Sequence, residues 1–540
     1  MSAHGKSLLT LWSLFAVLSA PAQTPQLIAD IVPGSGGSMP MRAVAMGDQV
    51  FFIGGTADTP GELWKTDGTV VGTQLVKDIR PGAISSGVSL LHPIDGVLYF
   101  SANDGVNGAE LWRSDGTEAG TVMVKDIAPG SASAAVSQMT AFNGTVYFVA
   151  GESNTGTELW RTDGTEAGTW MVKDIRPGSA NSNISYLMAT GGQLFFTADD
   201  GQFGRELWRS DGTEAGTVMV KDIAPGALDG SFGSIHEMDG VVYFVAADTT
   251  HSSELWRSDG TEAGIWMVKD IDPGIAPSAI SNIEVVDDQL IFSARTEDTG
   301  VELWVSDGTE VGTQLISDLS PGPESTTIQS VLSANGRYWF YGRTEPTAVG
   351  FELYASDGTS LVLVKDLAPG MDASSISGMT AACGGVLFSA TNGVSGEELW
   401  YTDGTATGTS MVADIRPGFQ SSGPIQLVDM GDALFFSADD AIHGREPWIL
   451  PCTHVGIEEA TVLEAMMIAP IPSHGPVQIT LPATTGGWEL TFHDGAGRIV
   501  HRIASASGTV SVDASAWSRG AYQVLARSMS MELSGRLFLE

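Results

Sequence analysis

The sequence predicts an all-β fold, a closed β-propeller of about nine four-stranded blades. Three observations point there. First, an apolar phrase ending in an aromatic residue recurs along residues 27–450. Trp64, Trp112, Trp160, Trp208, Trp256 and Trp304 are each 48 residues apart, and Tyr354, Trp400 and Trp448 follow at steps of 50, 46 and 48. Such a period marks one supersecondary unit copied head to tail, too small to bury a core alone. Second, each unit reads as four short β-branched and aromatic stretches separated by turn residues, without helical periodicity. Third, the two ends of the repeat region are complementary. Residues 27–34 match a fourth strand but precede any first strand, whereas the last unit stops after a third strand at residues 446–450. Nine strands of each kind result only if the N-terminal strand completes the last blade, which also pairs both exposed edges. An open β-solenoid is the alternative this pattern leaves.

The third unit shows the elements in order. Residues 137–142 form the first strand, Asn143-Gly144 the turn, and residues 145–150 the second strand. After a variable loop, residues 158–161 form the third, Asp163-Gly164-Thr165 the next turn, and residues 170–175 the fourth, ended by Pro177-Gly178. The first turn recurs as Gly47-Asp48, Asp95-Gly96, Gly191-Gly192, Asp239-Gly240, Asn335-Gly336, Gly384-Gly385 and Gly431-Asp432, and only Asp287-Asp288 departs. These residues tolerate the positive φ of primed hairpin turns.

Pairing Ser114 with Thr121 would set Trp112 opposite Met123, Leu111 opposite Val124 and Glu110 opposite Lys125. The Trp series is expected between blades, where each ring buries about 150–250 Å². The Glu occurs in all nine units but the Lys in six, at Lys77, Lys125, Lys173, Lys221, Lys269 and Lys365. An ion pair therefore does not account for the Glu, which is expected to accept backbone N–H bonds as well. Asp67, Asp115 and Asp163 in the third turn, and Asp78, Asp126 and Asp174 after the fourth strand, are expected to bond their own backbone as Asx turns.

The 540 residues carry 26 basic and 64 acidic side chains, a formal charge of -38. That argues against nucleic acid or anionic membrane as a partner. It is compatible with bound cations, Ca²⁺ being the cofactor left open. Candidate sites are the acidic loops at Asp104, Asp199, Asp200, Asp248, Asp439 and Asp440, although the alternating-Asp pattern of calcium loops is missing. Residues 1–22 read as a signal peptide, with Lys6, an apolar run over residues 8–18 and Ala20-Pro21-Ala22 as a cleavage pattern. No stretch is long enough to span a membrane. Export permits a disulfide, and the only cysteines, Cys383 and Cys452, fall in neighbouring units. They are either bridged or two buried or free thiols.

Catalytic constellations are hard to find. His92, His236, His251, His443 and His454 are scattered singly, with no nucleophile elbow, Cys pair or phosphate loop. Acidic pairs are too abundant to specify a glycosidase dyad. Two adjacent units share an insertion, Arg295-Thr296-Glu297 and Arg343-Thr344-Glu345, and Arg337, Trp339 and Tyr341 stand beside the second. Basic groups being scarce, Arg295, Glu297, Arg337, Trp339, Tyr341, Arg343 and Glu345 are the candidate glycan- or anion-recognising patch. The variable second–third loops are the expected functional side, since tight uniform turns suggest structure.

The string Glu110-Leu111-Trp112-Arg113-Ser114-Asp115-Gly116-Thr117 resembles the signature of the ELWxxDGT repeat family of secreted bacterial proteins. Eight units carry it, Tyr354 replacing Trp in the seventh, and the ninth lacks Asp-Gly-Thr. After a linker over residues 451–464, the tail at 465–540 abandons the repeat. Pro470-Ile471-Pro472 opens alternating strands at residues 477–481, 489–492, 497–500 and 520–524. This tail resembles the C-terminal sorting domain of the type IX secretion system of Bacteroidetes, with Ile471 where that domain's Pro-Asn-Pro opening has Asn. The resemblance implies a small Ig-like β-sandwich, the type IX machinery as partner, and cleavage of the tail with release or surface attachment; a generic accessory sandwich is the alternative. The expected protein is a secreted or outer-surface monomer, a non-catalytic propeller that binds a glycan or protein ligand and has no membrane span. Two other classes stay open: a carbohydrate-active enzyme (polysaccharide lyase or hydrolase) and a Ca-stabilised structural surface protein.

Overall fold

The structure is a computed structural model that describes residues 24–540 except 227–229, 231, 275, 345–348, 371–372, 453–466, 470–475, 481–487, 495–497, 507–508, 516, 528–531 and 540. The signal peptide and most of the linker lie outside the described residues. The chain divides into two units, Met1–Thr453 and His454–Glu540. Among the described residues, no helix is long and apolar enough to cross a membrane.

The first unit holds nine four-stranded antiparallel sheets, eight of them meanders of consecutive strands, the arrangement of β-propeller blades. The second blade is typical, with strands Ser89–Ile94, Val97–Asn103, Ala109–Ser114 and Val122–Lys125. First strands of neighbouring blades lie side by side, as in the first and second, the fifth and sixth, and again the ninth and first. The first turns hold positive φ as their residues predict, including Asp287 at 43° and Asp288 at 26°. In the eighth blade the turn comes one residue earlier than expected, at Cys383-Gly384 with φ of 55° and 76°.

The ninth blade comprises Ile425–Asp429, Ala433–Asp439, Arg445–Pro451 and, as its fourth strand, Gln26–Leu27 from the other end of the unit. Gln26 pairs with Ile449 and Leu27 with Trp448. Ile28 then packs with Val50 and Phe52 of the first blade and Phe435 of the ninth.

Alternation across each sheet decides which neighbour a side chain meets. Leu111 packs with Phe148 and Trp160 of the third blade, whereas Trp112 packs with Phe51, Leu63 and Val76 of the first. The Trp series is thus core: Trp112, Trp160, Trp208, Trp256 and Trp304 are 5–7% exposed. Burying one such ring stabilises by roughly 4–6 kcal/mol at about 25 cal/mol per Å², an upper bound.

The register differs from expectation by one bulge. Trp112 does face Met123, but a shift between Leu111 and Trp112 puts Leu111, not Glu110, opposite Lys125. No Glu110–Lys125 pair results. The Lys125 Nζ instead donates to the Thr169 carbonyl of the next blade at 2.7 Å. Lys77, Lys173, Lys269 and Lys365 do the same to Thr121, Thr217, Thr313 and Thr409 at 2.9, 2.8, 2.7 and 2.6 Å. A second bulge marks the first strands, where Arg42, Leu90, Gln138, Tyr186, Asn282, Ser330 and Gln426 hold φ between 45° and 59°.

Of the two readings of the cysteines, the bridge is the one observed. Cys383, in the first turn of the eighth blade, bonds Cys452, just past the last strand of the ninth and 69 residues away.

The second unit contains two sheets. One joins Met467–Ala469, Pro476–Thr480 and Thr509–Asp513; the other orders Ile499–Ala506, Trp488–His493, Gly520–Arg527 and Glu532–Leu539. Val477, Ile479 and Val512 of the first share one core with Trp488, Leu490, Phe492, Tyr522 and Val524 of the second. The Tyr522 hydroxyl donates to the Ser518 carbonyl at 2.6 Å, the geometry of a tyrosine corner.

Two variants test the seam between the ninth and first blades. Deleting residues 24–32 removes the borrowed strand and Ile28 and is expected to lower the thermal unfolding midpoint by several degrees. Replacing Cys383 and Cys452 by Ser reopens a 69-residue loop and is expected to cost up to about 4 kcal/mol in non-reducing denaturant titrations. Unchanged stability in either would contradict the role given to that contact.

Candidate functional site

The side of the blades that carries the second–third loops is built around one buried carboxylate per unit. The third strand opens with Glu62, Glu110, Glu158, Glu206, Glu254, Glu302, Glu352, Glu398 or Glu446, each 0–1% exposed. The Glu110 carboxylate accepts the main-chain N–H groups of Ile127 at 2.8 Å and Ala128 at 3.3 Å, in the segment leaving the fourth strand. Glu62 takes Ile79 N and also Ser86 N, both at 3.0 Å, reaching the connection to the next blade. Glu398 repeats this with Ile415 N at 2.9 Å and Ser422 N at 3.0 Å. Glu446 has no such segment after it. It accepts Val32 N and Ser38 N, each at 3.0 Å, so the N-terminal segment replaces the missing connection. The expectation that this Glu accepts backbone N–H bonds is met. Burial nevertheless pushes up the carboxyls of Glu62, Glu302, Glu398 and Glu446, and those of Glu110, Glu158, Glu254 and Glu352 to about 7.

Over each blade boundary sits a second pair, 23 residues apart in sequence. Arg176 forms an ion pair with Asp199, and Arg416 with Asp439 at 3.0 Å. At the boundary of the fifth and sixth blades the charges exchange places, Asp272 pairing with Arg295 at 3.3 Å. Elsewhere the two positions do not hold opposite charges: both are small in Ala128 with Gly151 and Ala224 with Ala247, while Arg80 stands with Asn103 and Arg343 with Ser320.

This exchange fixes the place of the predicted patch. Arg295 is held by Asp272, and the Glu297 main-chain N–H donates to the same carboxylate at 3.1 Å. Arg337 opens and Arg343 closes a seven-residue strand, so they stand roughly 20 Å apart at opposite ends of the blade. Between them Trp339 and Tyr341 are core, 2% and 8% exposed. The Trp339 indole donates to the Ala334 carbonyl at 3.0 Å, and the Tyr341 hydroxyl accepts Ser375 N at 3.2 Å. The Arg337 guanidinium lies 6.0 Å from the centre of the Trp339 ring. Glu345 lies outside the described residues. The structure therefore does not gather these residues into one patch.

Nor does it gather the acidic loop residues. Asp104 Oδ1 accepts Val106 N and Asn107 N at 2.8 Å, and Asp200 Oδ1 accepts Gln202 N at 2.8 Å and Phe203 N at 3.0 Å. Asp248 and Asp440 do the same within their loops and also bond His251 Nδ1 and His443 Nδ1 at 3.1 and 2.7 Å. Partial burial raises the Asp248 carboxyl, but bonds from His251 and Thr250 outweigh it and hold it down at about 2. Asp199 and Asp439 are the arginine partners described above. Each loop thus presents a single carboxylate turned on its own backbone, and among the described residues no three potential metal ligands converge. Calcium takes six to eight oxygens.

On the opposite side the third turns share one template. Oδ1 of Asp67, Asp115, Asp163, Asp211, Asp259, Asp307 and Asp403 accepts the main-chain N–H of the Thr two residues on, at 2.8–2.9 Å, as Asx turns. In the series after the fourth strand the expectation is met only in part. Asp126, Asp222 and Asp318 reach the Gly four residues on at 3.4–3.5 Å, while one oxygen of Asp78, Asp126, Asp174, Asp222, Asp270 and Asp366 is buried without a partner.

No family model and no curated protein matches the chain. Among solved structures, it is similar to PorZ, a bacterial surface component of the type-IX secretion system of Porphyromonas gingivalis, at 13% identity over 92% of this chain and 75% of that one, with a TM-score of 0.33. The β-propeller domain of the trilobed protease from Pyrococcus furiosus gives 13%, 61%, 97% and 0.31 for the same quantities. Prolyl oligopeptidase B from Galerina marginata gives 13%, 61%, 50% and 0.37, so the chain spans half of that enzyme. Likenesses this slight carry no assignment of function.

Two measurements test the site's electrostatics. Because the folded carboxyls titrate above their ordinary value, the stability they confer is greatest at low pH and is lost as pH rises from about 4.5 to 7. Glu158 uses one oxygen for Ile175 N at 2.8 Å while the other is buried without a partner. Glu158→Gln is therefore expected to lower the pH 5 to pH 8 loss in unfolding midpoint, and an identical loss would contradict the assignment. At the rim, Arg176→Asp or Asp199→Arg alone is expected to destabilise by up to about 1 kcal/mol, the partly exposed pair being solvent-screened. The double exchange should recover that loss in chemical denaturation, reproducing the arrangement of Asp272 and Arg295.

Proposed function

We propose that this is an exported, surface-exposed binding protein of the ELWxxDGT repeat type, a closed nine-bladed propeller whose variable-loop face takes a protein ligand. The observation that carries the reading is the contrast between the two faces. Third turns repeat one hydrogen-bond template from blade to blade, whereas the second–third loops differ in length, sequence and internal bonding. Variation confined to one side of a rigid scaffold is how binding loops are distributed. Exposed aliphatic tips occur on both faces, Val71 at 83% and Val311 at 82% on the turn side, but the most exposed aromatic among the described residues, Phe419 at 86%, stands on the loop side with Val394 at 79% and Ile442 at 68%. Such tips suit a protein surface better than the hydroxyl-rich faces of a glycan.

Export is supported by the Cys383–Cys452 bridge, which persists in an oxidising compartment. The two-sheet tail with its Tyr522 corner supports an Ig-like sorting domain of the type IX system, and with it delivery to the outer surface. The raised carboxyls do not favour an acid catalyst, because each is buried and engaged with main-chain donors rather than aimed at solvent.

A photo-crosslinking residue placed at Phe419 or Ile442 of the whole exported protein, on cells, is expected to give a discrete protein adduct. The same residue at Val71, 83% exposed on the opposite face, should give none. Equal adducts from both faces, a glycan-array signal without an adduct, or turnover of a polysaccharide would overturn the reading.

A further inference from the structure

The unit-to-unit comparison isolates one place where several departures from the repeat coincide. Between the N-terminal segment and the first blade lies a cavity of about 550 Å³, walled by Val32, Met39, Met41, Arg42, Gly54 and Val88 among others. Its volume falls in the range of small-ligand sites. Four departures from the repeat lie along it. Position 54 is Gly, where seven of the other eight units carry Ala, as at Ala102 and Ala150. At position 39 the siblings have small or polar residues such as Gly87, Ala135 and Ser375, but here a Met, 53% exposed. At position 41 they have Ser in five units, for example Ser89 and Ser137, but here another Met, 45% exposed. Position 42 is Leu90, Gln138, Tyr186, Ser234, Asn282, Ser330, Gly378 or Gln426 in its siblings, and Arg42 is the single cation of the series.

The backbone is not what differs. Met39 and Arg42 hold φ of 54° and 52°, and Ala135 and Gln138 hold 50° and 51°. Only the side chains have changed, and they have changed toward one chemistry. Two flexible thioethers give adaptable apolar walls. Gly54 lines the cavity as well, and the Phe52 ring edge comes within 3.1 Å of where its Cβ would stand. Arg42 supplies a planar guanidinium to which no hydrogen bond or ion pair from the described residues is assigned, in a chain whose formal charge is -38. An unpaired cation amid so much negative charge selects for an anion, and its fork matches a carboxylate.

We propose that this cavity is a binding site for a small amphipathic carboxylate, the apolar body between Met39 and Met41 and the anionic group on Arg42. Its walls also include Gly55, Thr56, Ala57, Pro60 and Gly61, so it adjoins the second–third loop of the first blade, and its small-molecule ligand goes beyond the protein ligand proposed for that face. Because the cavity's walls include the segment held by Glu446, the bound molecule ties the N-terminal segment to the first blade.

Isothermal titration of the whole exported chain, disulfide intact, with naphthalene-2-carboxylate and its neutral carboxamide tests this. The carboxylate is expected to bind saturably at one site, tighter than the amide by about tenfold, as one charge-assisted contact supplies. Arg42→Gln, which copies Gln138 and Gln426 at the same backbone geometry, should abolish that preference and leave amide binding unchanged. Met39→Ala with Met41→Ser, also sibling residues, should weaken both probes several-fold. Absence of saturable carboxylate binding, or a preference that survives Arg42→Gln, overturns the site.

Discussion

The buried carboxylate at the start of each third strand is the contact on which the succession of blades depends. A four-stranded meander leaves its last strand leading into a connection that must cross to the next blade, and that connection carries main-chain N–H groups away from any sheet. Left buried and unpaired, each would cost about 1–3 kcal/mol. A carboxylate with two oxygens answers two of them at once, as Glu62 does for Ile79 and Ser86. The burial that raises its proton affinity accompanies that fit. The ninth blade shows how general the requirement is. Glu446 lacks a connection of its own, and the N-terminal segment occupies the vacant donor positions with Val32 and Ser38. One constraint thus sets both the linker geometry and the way the chain's two ends meet.

Around that fixed contact the blades are joined by exchangeable ones. Trp112 and its equivalents fill the space toward the preceding blade, and Lys125 and its equivalents reach a carbonyl of the following one. The rim positions hold Arg–Asp, Asp–Arg, two small residues, or an Arg with Asn103 or Ser320, and the unit folds in each case. Salt bridges at such partly exposed positions contribute little, so drift among these states is tolerated while the buried Glu is invariant along the chain. The disulfide acts where this scheme is weakest. The borrowed strand Gln26–Leu27 makes only a two-residue pairing, and the Cys383–Cys452 bond fastens the chain just beyond its partner strand to the neighbouring blade.

Strand number, blade type, the borrowed strand and the core role of Trp were legible because each depends on alternation and turn chemistry inside one unit. Register was legible only up to the bulge. Nothing local distinguishes Lys125 opposite Glu110 from Lys125 opposite Leu111, and the Lys partner, Thr169, belongs to another unit. The predicted Arg and aromatic patch dispersed for the same reason. Trp339 and Tyr341 alternate with residues of like polarity, so their faces could be read, but what covers those faces comes from the eighth blade. The rim pairs were present in the sequence as a correlation at 23 residues, Arg176 with Asp199 and Asp272 with Arg295. Comparing units by column rather than along the chain exposes it, and also shows that Arg295 is a partner before it is a ligand.

That column-wise comparison separates two kinds of departure from the repeat. A compensated change alters both members of a contact, as at Asp272 and Arg295, and leaves the blade boundary equally filled and equally charged. An uncompensated change alters one side chain and leaves its neighbours as they were. At the seam, Arg42 gains a charge that no described residue answers, and Met39 and Met41 stand beside it 53% and 45% exposed where the siblings have mostly small or polar residues. Compensation is what structure alone demands of a repeat. The uncompensated positions are where something other than the chain itself can supply the missing contact, and here they lie close to the N-terminal segment that pairs with the ninth blade.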